Sequence, residues 1–287
     1  MISRGTLHAT LYTTELMLLI LFLPGGLKHM WNYFCDLLGD RSPKQIRRMS
    51  VFIIFVLIAS PALAGSSIWS STNIQYLKGT SYELGDDDRS IITLEHVNGW
   101  KYGDNFFFVD ITNPDREGDA TVTEFYGEIS PRFSLSAMSG KDMKMGVMKD
   151  FLITTTLEVG QGFHNYLYGL AVDLDLPSFK VFQINWYIRN EITAQTDLGQ
   201  QVTLVWLLPF DMGSTSWVFE GFFDYAYGLD PAEDNIITGP RLLLDVGKFF
   251  DAPGTLQAGV EYQIWRNKFG IDGVDEDVAQ AMVKWIW

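Results

Sequence analysis

The sequence predicts an all-β protein, a transmembrane up-and-down antiparallel β-barrel of about twelve strands. Three features of the 287-residue chain predict this fold. They are a secretory signal sequence, a hydrophobic period of two over the residues that follow it, and a last strand that ends on an aromatic residue. The three features are independent of one another, so together they place the protein in the outer membrane of a Gram-negative cell.

The segment 49–64 has the layout of a secretory signal peptide. A basic flank with Arg47 and Arg48 precedes an apolar run from Val51 to Ala59, and the segment closes on Ala62-Leu63-Ala64, which suits a signal peptidase. The apolar run is too short to cross a bilayer as a helix. A buried core strand is the alternative, but it would not explain why the basic flank and the small-residue ending occur together. We therefore expect the barrel to occupy 65–287, from Gly65 onward.

Residues 1–48 are interpreted as an over-extended gene start, with Met49 as the true first residue. A signal peptide normally begins its basic region within a few residues of its start methionine. The apolar stretch from Leu16 to Leu23 is too short to span a membrane. The only cysteine, Cys35, lies in this region. The mature chain is therefore expected to contain no disulfide, thiolate metal site or cofactor.

Composition excludes two other classes of protein. The chain is 47% hydrophobic and 14% aromatic, yet its formal net charge is -14. That charge argues against binding to nucleic acid. The aromatic content is far above that of a disordered chain, so these side chains require a core or a membrane.

Hydrophobic residues alternate with polar residues in most of the chain after residue 65. Phe107, Val109 and Ile111 share one face of a predicted strand, and Asp110 lies on the other face. Similar alternation recurs in segments near 72–77, 91–97, 124–132, 151–159, 166–174, 182–189, 201–208, 217–225, 241–246, 256–264 and 278–287. Apolar residues facing lipid and polar residues facing a lumen are typical of an outer-membrane barrel, whereas a secreted sandwich or a lipocalin would reverse the faces.

The predicted connections differ in character between the two ends of the barrel. Tight turns are expected at Pro177-Ser178, Pro209–Gly213 and Ala252–Gly254, and a long turn of unassigned role at Leu135–Lys149. Acidic segments fall between them, and these are expected to be the extracellular loops. The acidic residues are Glu83, Asp86, Asp87, Asp88, Asp115, Glu117, Asp119, Asp230, Glu233, Asp234, Asp272, Asp275, Glu276 and Asp277.

The segment from Val278 to Trp287 is expected to be the last strand, with Ala279, Ala281, Val283, Trp285 and Trp287 facing outward. A terminal aromatic residue on such a strand resembles the signal that the barrel-assembly machinery recognises. Closure of the barrel requires this strand to pair with the first one, since an open edge is not tolerated in lipid.

Several stretches resemble the Tsx/OmpK family of nucleoside-binding outer-membrane proteins. The resemblance spans nearly the whole predicted mature chain. The stretches are 69–73, 93–96, 104–110, 124–134, 220–224, 259–270 and 281–285, of which the last three are the most specific. Trp287 stands where phenylalanine is commonest in the family. The resemblance implies a monomeric twelve-stranded channel for nucleosides, and some members of the family serve as bacteriophage receptors. The lack of a long constriction loop also favours a monomer.

Inward-facing residues on the predicted strands supply the candidate nucleoside site. Aromatic rings can stack on a base, and charged groups can hydrogen-bond to hydroxyls, which gives a weak and passable site. The stacking candidates are Phe106, Phe108, Tyr126 and Tyr187. The polar candidates are Asp110, Glu124, Glu128, Arg132, Arg189, Asp224, Arg241, Asp245 and Glu261. For any single charged residue a structural ion pair across the lumen is the simpler interpretation, and any single aromatic residue could equally belong to a membrane girdle or to lumen packing.

Three other functions are open to a barrel of this kind. An enzyme is disfavoured because the predicted mature chain has only His96 and His164, with no G-x-S-x-G or H-E-x-x-H motif. A surface receptor, for example for bacteriophage, would depend on the loops more than on the lumen. A general small-solute porin would pass sugars and amino acids as readily as nucleosides.

Overall fold

A computed structural model describes residues 67–114, 124–194 and 196–287. The predicted gene-start and signal segments, 1–48 and 49–64, lie outside the described residues, as does Gly65. The strands are β1 (Ser67–Thr80), β2 (Asp88–Trp100), β3 (Gly103–Thr112), β4 (Glu124–Ser134), β5 (Met148–Gly160), β6 (Phe163–Leu174), β7 (Val181–Glu191), β8 (Gly199–Met212), β9 (Thr215–Tyr227), β10 (Asn235–Thr238), β11 (Arg241–Asp245), β12 (Leu256–Arg266) and β13 (Glu276–Ile286). One α-helix, α1 (Leu135–Ser139), joins β4 to β5.

The strands form a closed antiparallel barrel. Consecutive strands pair from β1 to β9, and β13 pairs with β1 from Asn73↔Ile286 to Gly79↔Gln280. β10 and β11 both pair with β9 and with β12, so together they fill one position in the wall. The barrel therefore has twelve strand positions, which confirms the predicted fold and strand number.

β10 and β11 are successive pieces of one strand position, and Gly239-Pro240 separates them. The sequence pattern did not predict this interruption. Pro240 has no backbone N–H and cannot donate to the sheet. Its carbonyl still accepts a hydrogen bond from the backbone N–H of Tyr262 at 2.9 Å. A Cβ on Gly221 would lie 2.6 Å from the Gly239 oxygen, so glycine at 221 lets the broken strand approach β9 closely.

Apolar side chains cover the outer surface and polar side chains face inward, as the period of two predicts. Tyr168 and Leu170 are exposed outside, whereas the inward Gln75 and Gln280 are buried. On β13 the predicted outward residues Ala279, Ala281, Val283 and Trp285 are all exposed. This inverted distribution suits a wall in contact with lipid. Among the described residues, no helix has the length and apolar character to span a membrane.

One expectation about the connections is wrong. Pro209–Met212 belongs to β8, where Pro209 pairs with Val218, and the turn itself is only Gly213-Ser214. Proline is accommodated because it lies near the end of the strand. At the end of the barrel with the acidic loops, the β5–β6 connection is only Gln161-Gly162.

The other connections follow the predicted arrangement. The acidic segments that the structure describes lie at one end, between β1 and β2, β9 and β10, and β12 and β13, although Asp88, Glu276 and Asp277 fall within strands. Residues 115–119 lie outside the described residues. Leu135–Lys149 lies at the opposite end and contains α1, whose N-terminus is capped by Ser134.

Candidate functional site

By the strand registers, the thirteen candidate residues all lie on the inward face of the wall. Phe106, Phe108 and Asp110 pair with Ser130, Glu128 and Tyr126 across β3 and β4. The remaining candidates follow the same alternation on their own strands. The structure therefore places the whole set on the lumen side, but it divides the set into separate groups.

Four inward rings form a continuous row, called here the aromatic ladder: Phe106, Phe108, Tyr126 and Phe163. The centroids are 5.7 Å apart from Phe106 to Phe108 and 5.7 Å from Phe108 to Tyr126. Tyr126 and Phe163 are 6.2 Å apart, with planes inclined by only 26°. The ladder brings together π-faces from three strands, so it offers successive stacking surfaces along the lumen.

Phe163 is a member of the ladder that the sequence analysis missed. It begins β6 opposite Gly160, where a Cβ would lie 2.1 Å from the Phe163 ring. Glycine at 160 therefore makes room for the ring. The same alternation that placed Tyr166 outward would have placed Phe163 inward. Tyr187, in contrast, does not join the ladder, because its hydroxyl lies 3.0 Å from Thr154 Oγ1 and its side chain is buried.

Three carboxylates near the ladder are held by hydroxyl groups. Tyr126 donates to Glu128 at 2.5 Å, and Thr93 donates to Asp110 at 2.5 Å. Thr203 donates to Asp224 at 2.5 Å. No lysine or arginine nitrogen in the described part of the chain lies within 4.0 Å of these three carboxylates. Each therefore retains lone pairs with which to accept further hydrogen bonds.

Arg189 occupies the centre of one charged group. It contacts Glu158 at 2.6 Å and Glu191 at 2.9 Å, and it donates to Gln201 at 2.7 Å. Asn165 donates a further hydrogen bond to Glu158 at 2.8 Å. A guanidinium shared by two carboxylates and an amide is fixed in place, so Arg189 braces the wall.

Arg241 lies in a second charged group, which contains Glu95, Glu220, Glu261 and Lys284. Arg241 contacts Glu261 closely, Glu220 at 3.7 Å and Glu95 at 4.0 Å. Lys284 contacts Glu220 at 2.7 Å and Glu95 at 3.9 Å. Two cations therefore meet three carboxylates, and neither cation is free to bind an anionic solute.

The remaining candidates lie apart from these groups. Arg132 is held by Asp104 at 2.6 Å and by Asp173 at 2.8 Å. Asp245 accepts hydrogen bonds from the backbone of the β11–β12 connection, including Gly254 N–H at 2.8 Å. Glu124 is exposed at the start of β4. These contacts give Arg132 and Asp245 structural roles in this conformation.

Burial divides the lumen into two sides. The inward residues of β1, β11, β12 and β13 form what we call the sealed wall, where Leu77, Leu243, Met282 and Gln280 are 0–3% exposed. What we call the open side contains the ladder rings, Asp110 and Asp224, which are partly exposed, although the inward Thr154 and Leu167 on β5 and β6 are buried. Because these partly exposed residues face inward, the open part of the lumen runs along the ladder.

Residues 64–241 match the family described as "Nucleoside-specific channel-forming protein, Tsx". The chain belongs to this family. The matched region contains eleven of the thirteen candidates, all except Asp245 and Glu261. The protein is thus an outer-membrane β-barrel of the Tsx family. Among its described residues, no group of three or more His, Cys, Asp or Glu is arranged to hold a metal ion.

Two relatives named outer membrane protein OmpK come from Vibrio parahaemolyticus. One is 26% identical over 145 residues, covering 47% of this chain and 55% of the relative. The other, from serotype O3:K6, is 24% identical over 170 residues, covering 53% of this chain and 63% of the relative. The chain therefore spans only 55–63% of these relatives' lengths.

Among solved structures, the KdgM porin aligns with a TM-score of 0.46 at 10% identity, covering 75% of this chain and 98% of the porin. The KdgM porin in complex with disordered oligogalacturonate aligns with a TM-score of 0.44, also at 10% identity, over 74% and 98% of the two chains.

Proposed function

We propose that this Tsx-family channel passes nucleosides selectively and passively, through a weak binding site at the aromatic ladder. The observation that carries the proposal is the row of four inward rings beside the carboxylates of Glu128 and Asp110. A nucleoside combines a planar base with ribose hydroxyls, which are hydrogen-bond donors. It can therefore use both parts of this surface at once.

The strength of such a site suits transport. Stacking on an aromatic ring contributes about 1–3 kcal/mol per base. Conduction requires a site that is favourable enough to enter and weak enough to leave, with neighbouring sites to move between. Successive rings about 6 Å apart provide such steps without demanding that any one of them bind tightly.

The width of the barrel supports selectivity. Eight-stranded barrels are filled by side chains, and barrels of sixteen or more strands leave a wide aqueous channel. This barrel has twelve strand positions and one sealed wall, so the open part of its lumen is narrower than the full width of the barrel. A solute that crosses it must pass along the ladder, and the chemistry of the ladder then affects which solutes pass.

The test is single-channel recording in planar bilayers with protein purified from outer membranes. Adenosine or thymidine is titrated, with sucrose as a control of comparable size that lacks a base. A small conductance that falls with nucleoside but not with sucrose supports the proposal. A large conductance indifferent to both solutes replaces it with a general porin, and the absence of conductance favours a surface receptor.

A further inference from the structure

Lys268 and Glu276 form a buried ion pair at the end of the barrel with the acidic loops. Their side chains are only 2% and 0% exposed, and Lys268 Nζ lies 2.6 Å from Glu276 Oε2. The ammonium also lies 4.8 Å from the ring centre of Trp265 and donates to the Glu83 carbonyl at 3.3 Å. The backbone N–H of Glu83 donates to the same carboxylate at 2.7 Å. The pair therefore ties the β12–β13 connection to the β1–β2 connection.

Tyr82 fills the space beneath this pair. It is 6% exposed, and its hydroxyl donates to Gln280 Oε1 at 2.7 Å. A Cβ on Gly79 would lie 3.0 Å from the Tyr82 oxygen, so glycine at 79 leaves room for the phenol. The guanidinium of Arg89 lies 4.7 Å from the centre of the ring. Tyr82 thus enters the mouth of the barrel from the loop and rests on the sealed wall.

A third connection joins this assembly. Glu233 N–H in the β9–β10 connection donates to the Gly270 carbonyl at 2.9 Å, and the Asn267 side chain donates to the Asp234 carbonyl at 2.9 Å. Gly270 has φ +72° and packs so closely that a Cβ would lie 2.7 Å from the Ala232 Cβ. Three connections therefore interlock above one side of the lumen.

At this end of the barrel, the connections that the structure describes completely differ in how much of the lumen they cover. The β5–β6 connection consists of Gln161 and Gly162 alone, and Phe163 of the aromatic ladder follows it directly. Two residues are too few to fold over the lumen. The ladder thus begins beside a low rim, whereas the sealed wall ends beneath Tyr82 and the Lys268–Glu276 pair.

We propose that Tyr82 and the Lys268–Glu276 pair form an entry seal, which closes the mouth above the sealed wall and directs incoming solutes to the ladder. The three are positioning residues: they contact no solute, but they restrict where a solute enters. The assignment of an entry route rests on the proposed nucleoside function, whereas the existence of the seal does not.

Accessibility of single cysteines tests the seal. Val278 is 1% exposed and lies on the inward face of β13 between Glu276 and Gln280, directly under the seal. We expect Val278→Cys to react slowly with a membrane-impermeant thiol reagent, while Phe163→Cys reacts readily. Labelling of the chain without either substitution gives the background.

Opening the seal gives the decisive comparison. Combining Lys268→Met with Glu276→Gln should raise the labelling rate of Val278→Cys at least about tenfold, because the β12–β13 connection loses the ammonium that bonds both to Glu276 and to the Glu83 carbonyl of the β1–β2 connection. Tyr82→Ala should act in the same direction, whereas Tyr82→Phe keeps the ring and should preserve protection. Equal labelling at both cysteine positions in the otherwise unchanged protein would overturn the proposal. So would continued protection in both opened variants.

A matched control removes a similar ion pair elsewhere. Lys144 and Asp175 lie 2.8 Å apart at the opposite end of the barrel, with side chains 50% and 60% exposed. Lys144→Met combined with Asp175→Asn should leave Val278→Cys protected, and labelling there would show a general loosening instead of a seal. Adenosine should block the single-channel current through the otherwise unchanged protein. If only this block is absent, the nucleoside function is contradicted and the seal stands.

Discussion

Phe108 is the ring whose removal should weaken nucleoside binding most directly. It lies in the middle of the ladder, 5.7 Å from both Phe106 and Tyr126. Phe108→Ala removes a stacking partner worth about 1–3 kcal/mol. At about 1.4 kcal/mol per tenfold change, this corresponds to roughly 5-fold to 150-fold weaker binding. Two neighbouring rings remain available to the base, so we expect the lower part of that range, about 5-fold to 10-fold.

The assay is the concentration of adenosine that halves the single-channel current. The matched control is Phe107→Ala, which deletes the same side chain from the next position of β3. Phe107 faces outward and stacks on His96 at 5.2 Å, so its loss should leave the half-blocking concentration unchanged. If Phe108→Ala shifts that concentration by less than twofold, or if both variants shift it equally, the ladder does not bind the base.

Four further outcomes follow from the charges, the loops and the start of the chain. The channel should prefer K⁺ to Cl⁻ in reversal-potential measurements, and Asp224→Asn should reduce the preference, since its carboxylate faces the lumen without a cation partner. Arg189→Met should lower stability to urea by about 3–5 kcal/mol by leaving Glu158 buried and unpaired, and adding Glu158→Leu should restore part of the loss. Burial raises the pKa of Tyr82 above its ordinary value of 10.0, so its stabilising contribution is complete below pH 10 and declines above it; the difference in melting temperature between the protein and Tyr82→Phe should shrink there. Mass spectrometry of purified protein should find no peptides from residues 1–48, and any such peptide contradicts a start at Met49.

The faces of the strands could be predicted from the sequence because alternation is a local property. Each residue's side is fixed by its neighbours two positions away, so Asp110 and Arg241 could be placed inward without knowing which strands adjoin them. The interruption at Gly239-Pro240 could not be predicted in this way. A proline and a glycine indicate a turn as readily as a break within a strand, and the pairing with β9 and β12 decides between them.

The partners of the lumen charges depend on register between distant strands, which no local pattern reveals. Glu95 and Lys284 were not among the candidates, yet they complete the group around Arg241. Tyr82 and Gln280 are 198 residues apart in sequence and meet only because β13 closes against β1. The sequence therefore predicts which residues face inward. It does not predict how these residues divide into a sealed wall and an open side.

The two sides of the lumen place different demands on their residues. In the sealed wall, Lys284 pairs with Glu220 of the neighbouring β9, and each is less than 10% exposed, so losing one partner leaves a buried charge and threatens the fold. On the open side, Phe108 and Asp224 are partly exposed to the lumen. Replacing either residue therefore removes less buried surface than a replacement in the sealed wall and destabilises the fold less. Changes on the open side can therefore alter which solutes pass while the barrel is retained. Because the sealed wall narrows the open part of the lumen, a passing solute contacts the residues that change. The preferred solute can therefore vary while the barrel fold stays the same.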